Sequence, residues 1–279
     1  MTVTKTIARQ VSLEGIGIHS GRHVRLKLIP SGSGKIVFRR SDLGNAEIPL
    51  SAEFVEAKNC TMLVADKWRI RTLEHLMAVL WVHGIDSLTV ELDQEEIPAM
   101  DGSALPFVHA IHKAGIEALS EAKASMKIVR SFSIEEGDSS ISVEPHAKLK
   151  ITSHIKFSHP IIGSQTLSIA IDPENFEREI APARTFGFLE HVPDLHKRGL
   201  ALGGSMANAI VLDKIRVING PLRFADEFVR HKILDLTGDL SLVGRPLTGH
   251  FIAKKAGHAL HLKTVRFLLD NPEYSVIEG

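Results

Sequence analysis

Apolar and polar positions alternate with period two through His23-Val-Arg-Leu-Lys-Leu-Ile29, which predicts a half-buried strand. Val11, Leu13, Ile16 and Ile18 carry the same signal upstream, broken by Gly15 and Gly17. Ser31-Gly-Ser-Gly34 reads as a turn and Lys35-Ile-Val-Phe-Arg39 as a further strand. Cys60-Thr-Met-Leu-Val64 and Lys67-Trp-Arg-Ile-Arg71 look like a hairpin pair. The period then lengthens. Leu73, Leu76, Met77 and Leu80 form an apolar stripe at helical spacing, with Thr72 as cap and Gly84 as stop. Ser87-Leu-Thr-Val-Glu-Leu92 is a strand. Glu95-Glu-Ile-Pro-Ala-Met-Asp-Gly-Ser103 is a polar, turn-rich loop, and Pro106 to Leu119 a second helix.

Residues 120–127 carry little to pack and read as a linker. After them the pattern restarts. Strands are predicted at Phe132-Ser-Ile-Glu-Glu136, Ser140-Ile-Ser-Val-Glu144, Leu149 to Phe157 and Gln165 to Ile171. Leu189 to Gly199 reads as helical, and Ala207 to Leu212 and Lys214 to Ile218 as strands. A helix over residues 227–242, a strand Gly249-His-Phe-Ile-Ala253 and a helix over residues 258–269 complete the chain. Both halves thus run through several strands, a helix, a strand and a final helix. That order predicts an α+β fold of two domains with duplicated topology, residues 1–122 and 128–279. Each has a sheet plus two helices, and the helices pack between the two sheets in a layered sandwich.

Composition narrows the function classes. The 279 residues are 44% hydrophobic and 24% charged, ordinary for a globular protein. Lys plus Arg and Asp plus Glu both total 33, so net charge is zero. No bulk positive charge is available to hold nucleic acid. The single cysteine, Cys60, can form no internal disulfide and fits a reducing compartment. The N-terminus lacks the apolar run of a signal peptide, and no segment reaches the roughly 18 uninterrupted apolar residues of a membrane span.

Candidate chemistry gathers in the predicted helix Phe228-Val-Arg-His-Lys-Ile-Leu-Asp-Leu-Thr-Gly-Asp-Leu240. At about 100° per residue, His231, Asp235 and Asp239 share one face. Ile233, Leu234, Leu236 and Leu240 surround them. Buried charge in such company needs compensation, and a divalent metal provides it. Taken alone, the segment also fits a helix with ordinary surface charges. The first predicted helix adds Glu74-His75. His75, His231 and Asp235 would make the three-ligand set of a catalytic zinc, and Glu74 is the right type of group to take a proton from a water there. His258 follows Gly257 at a loop-to-helix junction, where it could protonate a leaving amine while Asp239 keeps it cationic. In Ala181-Pro-Ala-Arg-Thr-Phe-Gly-Phe188, Thr185 could donate to a developing oxyanion. Phe188, Leu189, Val192, Leu195, Leu200, Ala201 and Leu202 could wall an apolar ligand tail or simply pack a core.

With these residues assembled, the chain closely resembles the UDP-3-O-acyl-N-acetylglucosamine deacetylase family, zinc amidases of lipid A biosynthesis in Gram-negative bacteria. The resemblance runs from Gln10 to about Leu269. It rests on Gly15-Ile-Gly-Ile-His-Ser-Gly21, Thr72-Leu-Glu-His-Leu76, Glu96-Ile-Pro-Ala-Met-Asp-Gly-Ser103 and Ala181-Pro-Ala-Arg-Thr-Phe-Gly187. Further on it is carried by Leu202-Gly-Gly-Ser205, Asp226-Glu-Phe-Val-Arg-His-Lys-Ile-Leu-Asp235, Gly238-Asp239 and Gly257-His258. The resemblance implies one catalytic zinc ion on His75, His231 and Asp235. It implies Glu74 as general base, His258 as general acid oriented by Asp239, and Thr185 at the oxyanion. It places Lys232 by the sugar–nucleotide, Phe186 against the glucosamine ring and His19 near the metal but not on it. An insert of about residues 188–211, with Phe188, Leu189, Val192, Ala201, Ala209 and Val211, would hold the acyl chain. A cytoplasmic monomer acting on an acylated UDP-sugar, without nucleic acid or a membrane span, is the expected setting.

Overall fold

The structure is a computed structural model that describes residues 2–279. Its first sheet has five strands, in the order Val11–Ile16, His23–Pro30, Leu88–Leu92, Ile36–Arg40 and Ala46–Pro49. Ile36–Arg40 runs parallel to Leu88–Leu92, because a long crossover containing the helix Glu74–Val82 connects them. The alternation read in the sequence is the alternation of burial. Val24, Leu26 and Leu28 are fully buried, whereas His23 and Arg25 face water.

The second sheet has seven strands centred on Leu247–Lys254. That strand pairs antiparallel with Ser139–Glu144 on one side and parallel with Leu149–Lys156 on the other. Phe132–Glu136 and Ser164–Ala170 extend the two sides, and Ser125–Ile128 and Ser275–Glu278 add to its start. Between the sheets lie the long helices. Glu227–Leu240 packs on Leu149–Lys156 and Ser164–Ala170, His258–Asp270 on Phe132–Glu136, and Leu105–Ala114 on Val11–Ile16. One continuous core runs from Leu26 and Val90, through Leu76 and Leu80, into Ile233 and Leu236, and on to Ile151 and Phe251. Each such buried side chain stabilises the fold by about 1.5–3 kcal/mol. The architecture is the expected α+β sandwich with helices between sheets.

The helices Glu74–Val82 and Glu227–Leu240 meet at Gly238. A Cβ there would stand 2.0 Å from the Glu74 carbonyl oxygen. Glycine costs about 1 kcal/mol in a helix interior, and here it permits a contact that any side chain would forbid. This closeness brings residues of the two halves into one site.

Five parts of the chain depart from the sequence reading. The helix from Leu105 ends at Ala114, because Gly115 turns the chain with φ +73°. Ile116–Lys123 is then a strand antiparallel to Thr2–Ile7, so most of the expected linker is sheet. Its side chains are mostly exposed on both faces, so no apolar alternation announced it. Thr72 does not cap the first helix. Its backbone lies at φ +60° and its hydroxyl donates to Glu96 instead. Lys214 to Ile218 is a turn organised by Asp213, whose carboxylate accepts from the Ile215 and Arg216 amides, and one bridge, Leu212 to Val217, is all that it makes of a strand. The stretch from Leu189 divides into a 3₁₀ turn, Leu189–His191, and a helix, Val192–Lys197.

Candidate active site

The helix Glu227–Leu240 presents His231, Asp235 and Asp239 on one face, all nearly inaccessible to water. Opposite them, at the first turn of Glu74–Val82, stand Glu74 and His75, also buried. His75 Nε2 and His231 Nε2 approach the same Asp235 oxygen at 3.6 and 3.3 Å. The donor atoms of the three residues all lie within 4.8 Å of one another. The two imidazoles meet edge to face with centroids 5.0 Å apart.

The donor set fits a divalent transition ion. His231 Nδ1 donates to the Ala183 carbonyl at 3.1 Å, which leaves the Nε2 lone pair pointing at the cluster. Burial pushes the imidazole down to about 4, so His231 is neutral and competent to ligate at neutral pH. Burial alone would raise the Asp235 carboxyl, but Lys232 and His231 outweigh it and hold it well below the usual carboxylate range. Lys232 Nζ donates to the second Asp235 oxygen at 2.8 Å. Two imidazole nitrogens and one carboxylate oxygen are the ligand chemistry of a catalytic divalent ion such as zinc, which keeps an open position.

His258, the first residue of the helix His258–Asp270, faces this cluster. Its Nε2 is 3.7 Å from Glu74 Oε1 and 3.9 Å from Asp235 Oδ2. Its Nδ1 donates to Asp239 Oδ2 at 2.7 Å. Burial opposes a charge on this ring, yet Asp239 and Glu74 overcome it and raise His258 to about 10. Asp239 itself would be raised by burial, but His258 and His261 bring it down to about 2. Burial raises the Glu74 carboxyl. Glu74 Oε2 accepts from the Thr61 amide at 3.1 Å, and the Thr61 hydroxyl donates to Asp239 Oδ1.

The loop Ala181 to Phe188 closes the site from the second half of the chain. Glu227, fully buried, takes the Arg184 amide at 3.0 Å and its Nε at 2.8 Å, and so seats the loop on the helix start. Thr185 follows directly. Phe186–Phe188 then pairs in parallel with Ile210–Leu212, and the segment between these two short strands crosses over the cavity. Phe186 stands edge-on to His231 with centroids 6.3 Å apart, and Lys232 Nζ is 5.7 Å from the Phe186 ring centre.

These groups share one cavity of about 530 Å³. Its polar end is lined by Glu74, His75, His231, Asp235, Lys232 and His258, with Thr185 beside them. Its apolar end is lined by Phe186, Phe188, Leu189, Val192, Ala201, Ala209 and Val211, and His19 borders both. Of the residues singled out from the sequence, Asp239 does not line the cavity but lies behind His258, and Leu200 and Leu202, read as part of the apolar wall, do not line it either; Leu202 is 52% exposed.

Sequence reading missed three supports. His261 donates from Nδ1 to the same Asp239 oxygen as His258, at 2.7 Å. Thr61 joins Glu74 to Asp239. Glu96, fully buried, accepts from the His19 amide, the Ser20 amide and the Thr72 hydroxyl at 2.9, 2.7 and 3.0 Å. It thereby holds the Gly-rich strand end and the strained Thr72 next to Glu74. The helical spacing of His258 and His261 was the available signal for the first. The other two are long-range pairs without a local pattern.

Residues 4–270 match the family model for UDP-3-O-acyl N-acetylglycosamine deacetylase. A UDP-3-O-acyl-N-acetylglucosamine deacetylase of Thermodesulfovibrio yellowstonii is 47% identical over 282 aligned positions, covering 100% of this chain and 96% of the relative. The enzyme of the same name from Myxococcus xanthus is 46% identical, covering 98% and 88%. That from Nautilia profundicola is 42% identical, covering 98% and 94%.

Proposed function

The chain belongs to the UDP-3-O-acyl N-acetylglycosamine deacetylase family, and from that premise we propose which of its residues perform the reaction and how. The reaction is hydrolysis of the N-acetyl group of UDP-3-O-acyl-N-acetylglucosamine in lipid A biosynthesis, which yields the free amine and acetate. The observation that carries the residue assignment is the convergence of a His, His, Asp donor set, a buried glutamate and a cationic histidine at one end of an apolar cavity.

His75, His231 and Asp235 hold one zinc ion. When bound, the ion supplies Lewis acidity to the acetyl carbonyl and to the attacking water. Glu74 is the general base. Burial raises its proton affinity, so its carboxylate takes the proton of the attacking water readily. The Thr185 hydroxyl donates to the oxygen that gains charge as the carbonyl carbon becomes tetrahedral. His258 gives its Nε2 proton to the leaving sugar nitrogen, while its Nδ1 keeps its proton, hydrogen-bonded to the Asp239 carboxylate. The C–N bond breaks, and acetate and the amine leave.

Binding divides along the cavity. Lys232 meets the sugar–nucleotide side and Phe186 lies against the glucosamine ring. Phe188, Leu189, Val192, Ala201, Ala209 and Val211 enclose the acyl chain, with His19 at the junction of the polar and apolar ends. The apolar wall comes from the segment of residues 188–211 in the C-terminal half, residues 128–279. The N-terminal half, residues 1–122, contributes Glu74, His75 and His19. We read these halves as the two domains and the site as lying between them. Among the described residues no helix is long and apolar enough to cross a membrane, and the single buried thiol suits the reducing cytoplasm where we place the enzyme.

The test is a deacetylation assay on UDP-N-acetylglucosamine bearing 3-O-acyl chains of graded length, with and without a chelator. Turnover is expected only with the acylated substrates. It stops with chelator and returns with zinc. Equal turnover of the non-acylated sugar would overturn the assignment of the apolar end. Turnover indifferent to the chelator would overturn the metal.

A further inference from the structure

A second cluster of two histidines and a carboxylate lies apart from the cavity. His83 follows the C-terminal end of the helix Glu74–Val82, eight residues beyond His75 and so about 12 Å along the axis. His112 is in the last turn of Leu105–Ala114. Glu177 is in the turn Phe176–Ile180 from the other half of the chain. His83 Nε2 and His112 Nε2 both point at Glu177 Oε1, at 2.7 and 2.9 Å. None of the three lines the catalytic cavity.

The tautomer of His83 gives this cluster its meaning. Its Nδ1 lies 2.8 Å from the Val79 carbonyl, which can only accept, so Nδ1 carries a proton. A neutral ring then aims a bare Nε2 lone pair at a carboxylate oxygen, and two acceptors do not bond. Something positive must lie between them, either a second proton on a buried ring or a metal ion. A carbonyl on Nδ1 with the lone pair of Nε2 turned to a cluster is the arrangement that His231 also shows, and it is the usual support of a ligating histidine.

We propose that His83, His112 and Glu177 form a second metal site, for a divalent transition ion of the zinc type, which ties the two inner helices to the turn Phe176–Ile180. Imidazole and carboxylate donors select such an ion over magnesium or calcium. Donor atoms around a tetrahedral ion at about 2.1 Å stand somewhat over 3 Å apart, so the cluster opens by about 0.5 Å to admit it. Glu177 and His112 supply that movement, because their side chains are 29% and 51% exposed whereas that of His83 is fixed by burial. Solvent would fill the one remaining position. The turn leads directly into Ala181 to Thr185, whose Ala183 carbonyl orients His231, so the ion is a structural clip behind the active site.

The experiment strips the full-length protein with chelator, reloads it with Zn²⁺ alone and counts tightly held metal after desalting. Two equivalents are expected for the unmodified protein and one for His112→Ala and for Glu177→Gln, with deacetylation retained in both variants. In a competition titration, apparent affinity for the second ion should fall at least tenfold in His112→Ala. The proposal is overturned if the unmodified protein holds one equivalent, or if both variants hold as much as it does. In that case a proton bridges the cluster. Filling of this site by Mg²⁺ in competition with Zn²⁺ would overturn the choice of ion. The His112 side chain is too exposed for its removal to unfold the chain, which keeps the outcome readable even if Glu177→Gln is unstable.

Discussion

His231 and His258 flank the same carboxylate, Asp235, with side chains 3% and 11% exposed, yet the protein drives them to opposite protonation states. His231 is pushed down to about 4 and His258 raised to about 10. Burial pushes both rings the same way, toward neutrality. What separates them is the partner of each Nδ1. For His231 it is the uncharged carbonyl of Ala183, which sets the tautomer without paying back the lost solvation of a charge. For His258 it is the carboxylate of Asp239, with Glu74 also near. One ring therefore offers a lone pair and the other a proton, within one cavity. The lesson is that the chemistry of a buried histidine is decided one bond behind the reacting atom.

The comparison can be broken most severely at the lone-pair side. His231→Ala removes a ligand, and turnover should drop below detection together with the loss of bound metal, read by metal analysis on the same preparation. The proton side should be less absolute. His258→Ala, and Glu74→Gln across from it, should each lower kcat by about 10²–10⁴ with metal still bound. Near-normal kcat in either variant would remove that residue from the reaction. One bond further back, Asp239→Asn keeps the shape and deletes the charge, so a fall in kcat of about 10–100-fold is expected with KM little changed. Gly238→Ala tests the contact that brings the two halves together. Overpacking against the Glu74 carbonyl should cost about 1–3 kcal/mol of stability, seen as a lower Tm, and should lower activity through Glu74 and His75. The smallest effect belongs to His261→Ala. Asp239 keeps its bonds to His258 and Thr61, so kcat should fall by only about tenfold, and His261→Asn, which can still donate, should recover most of the loss.

Legibility differed between parts of the chain for physical reasons. His231, Asp235 and Asp239 could be grouped from spacing alone, because a helix converts four-residue intervals into a shared face. Strands with one wet face, such as His23–Pro30, declared themselves by alternation. Ile116–Lys123 did not, since both of its faces are largely exposed and only its hydrogen-bonding edge, against Thr2–Ile7, makes it a strand. Thr72 has the composition of a helix cap, but a buried glutamate 24 residues away claims its hydroxyl and holds its backbone at positive φ. Local propensity lost there to one long-range polar contact.

Period and turn residues in the chain were therefore enough to give the α+β class, and the resemblance carried by its ordered motifs gave the family and part of the cavity lining. These depend on neighbours in sequence, or on patterns that survive without coordinates. Tertiary structure alone decided that Glu74 and His75 lie against Gly238, that Ala183 and Asp239 set one histidine neutral and the other cationic, and that His83, His112 and Glu177 meet at a single oxygen. Each of those outcomes depends on distances between groups remote in sequence, and on how much water is left around them. Neither quantity is a property of any one stretch of chain.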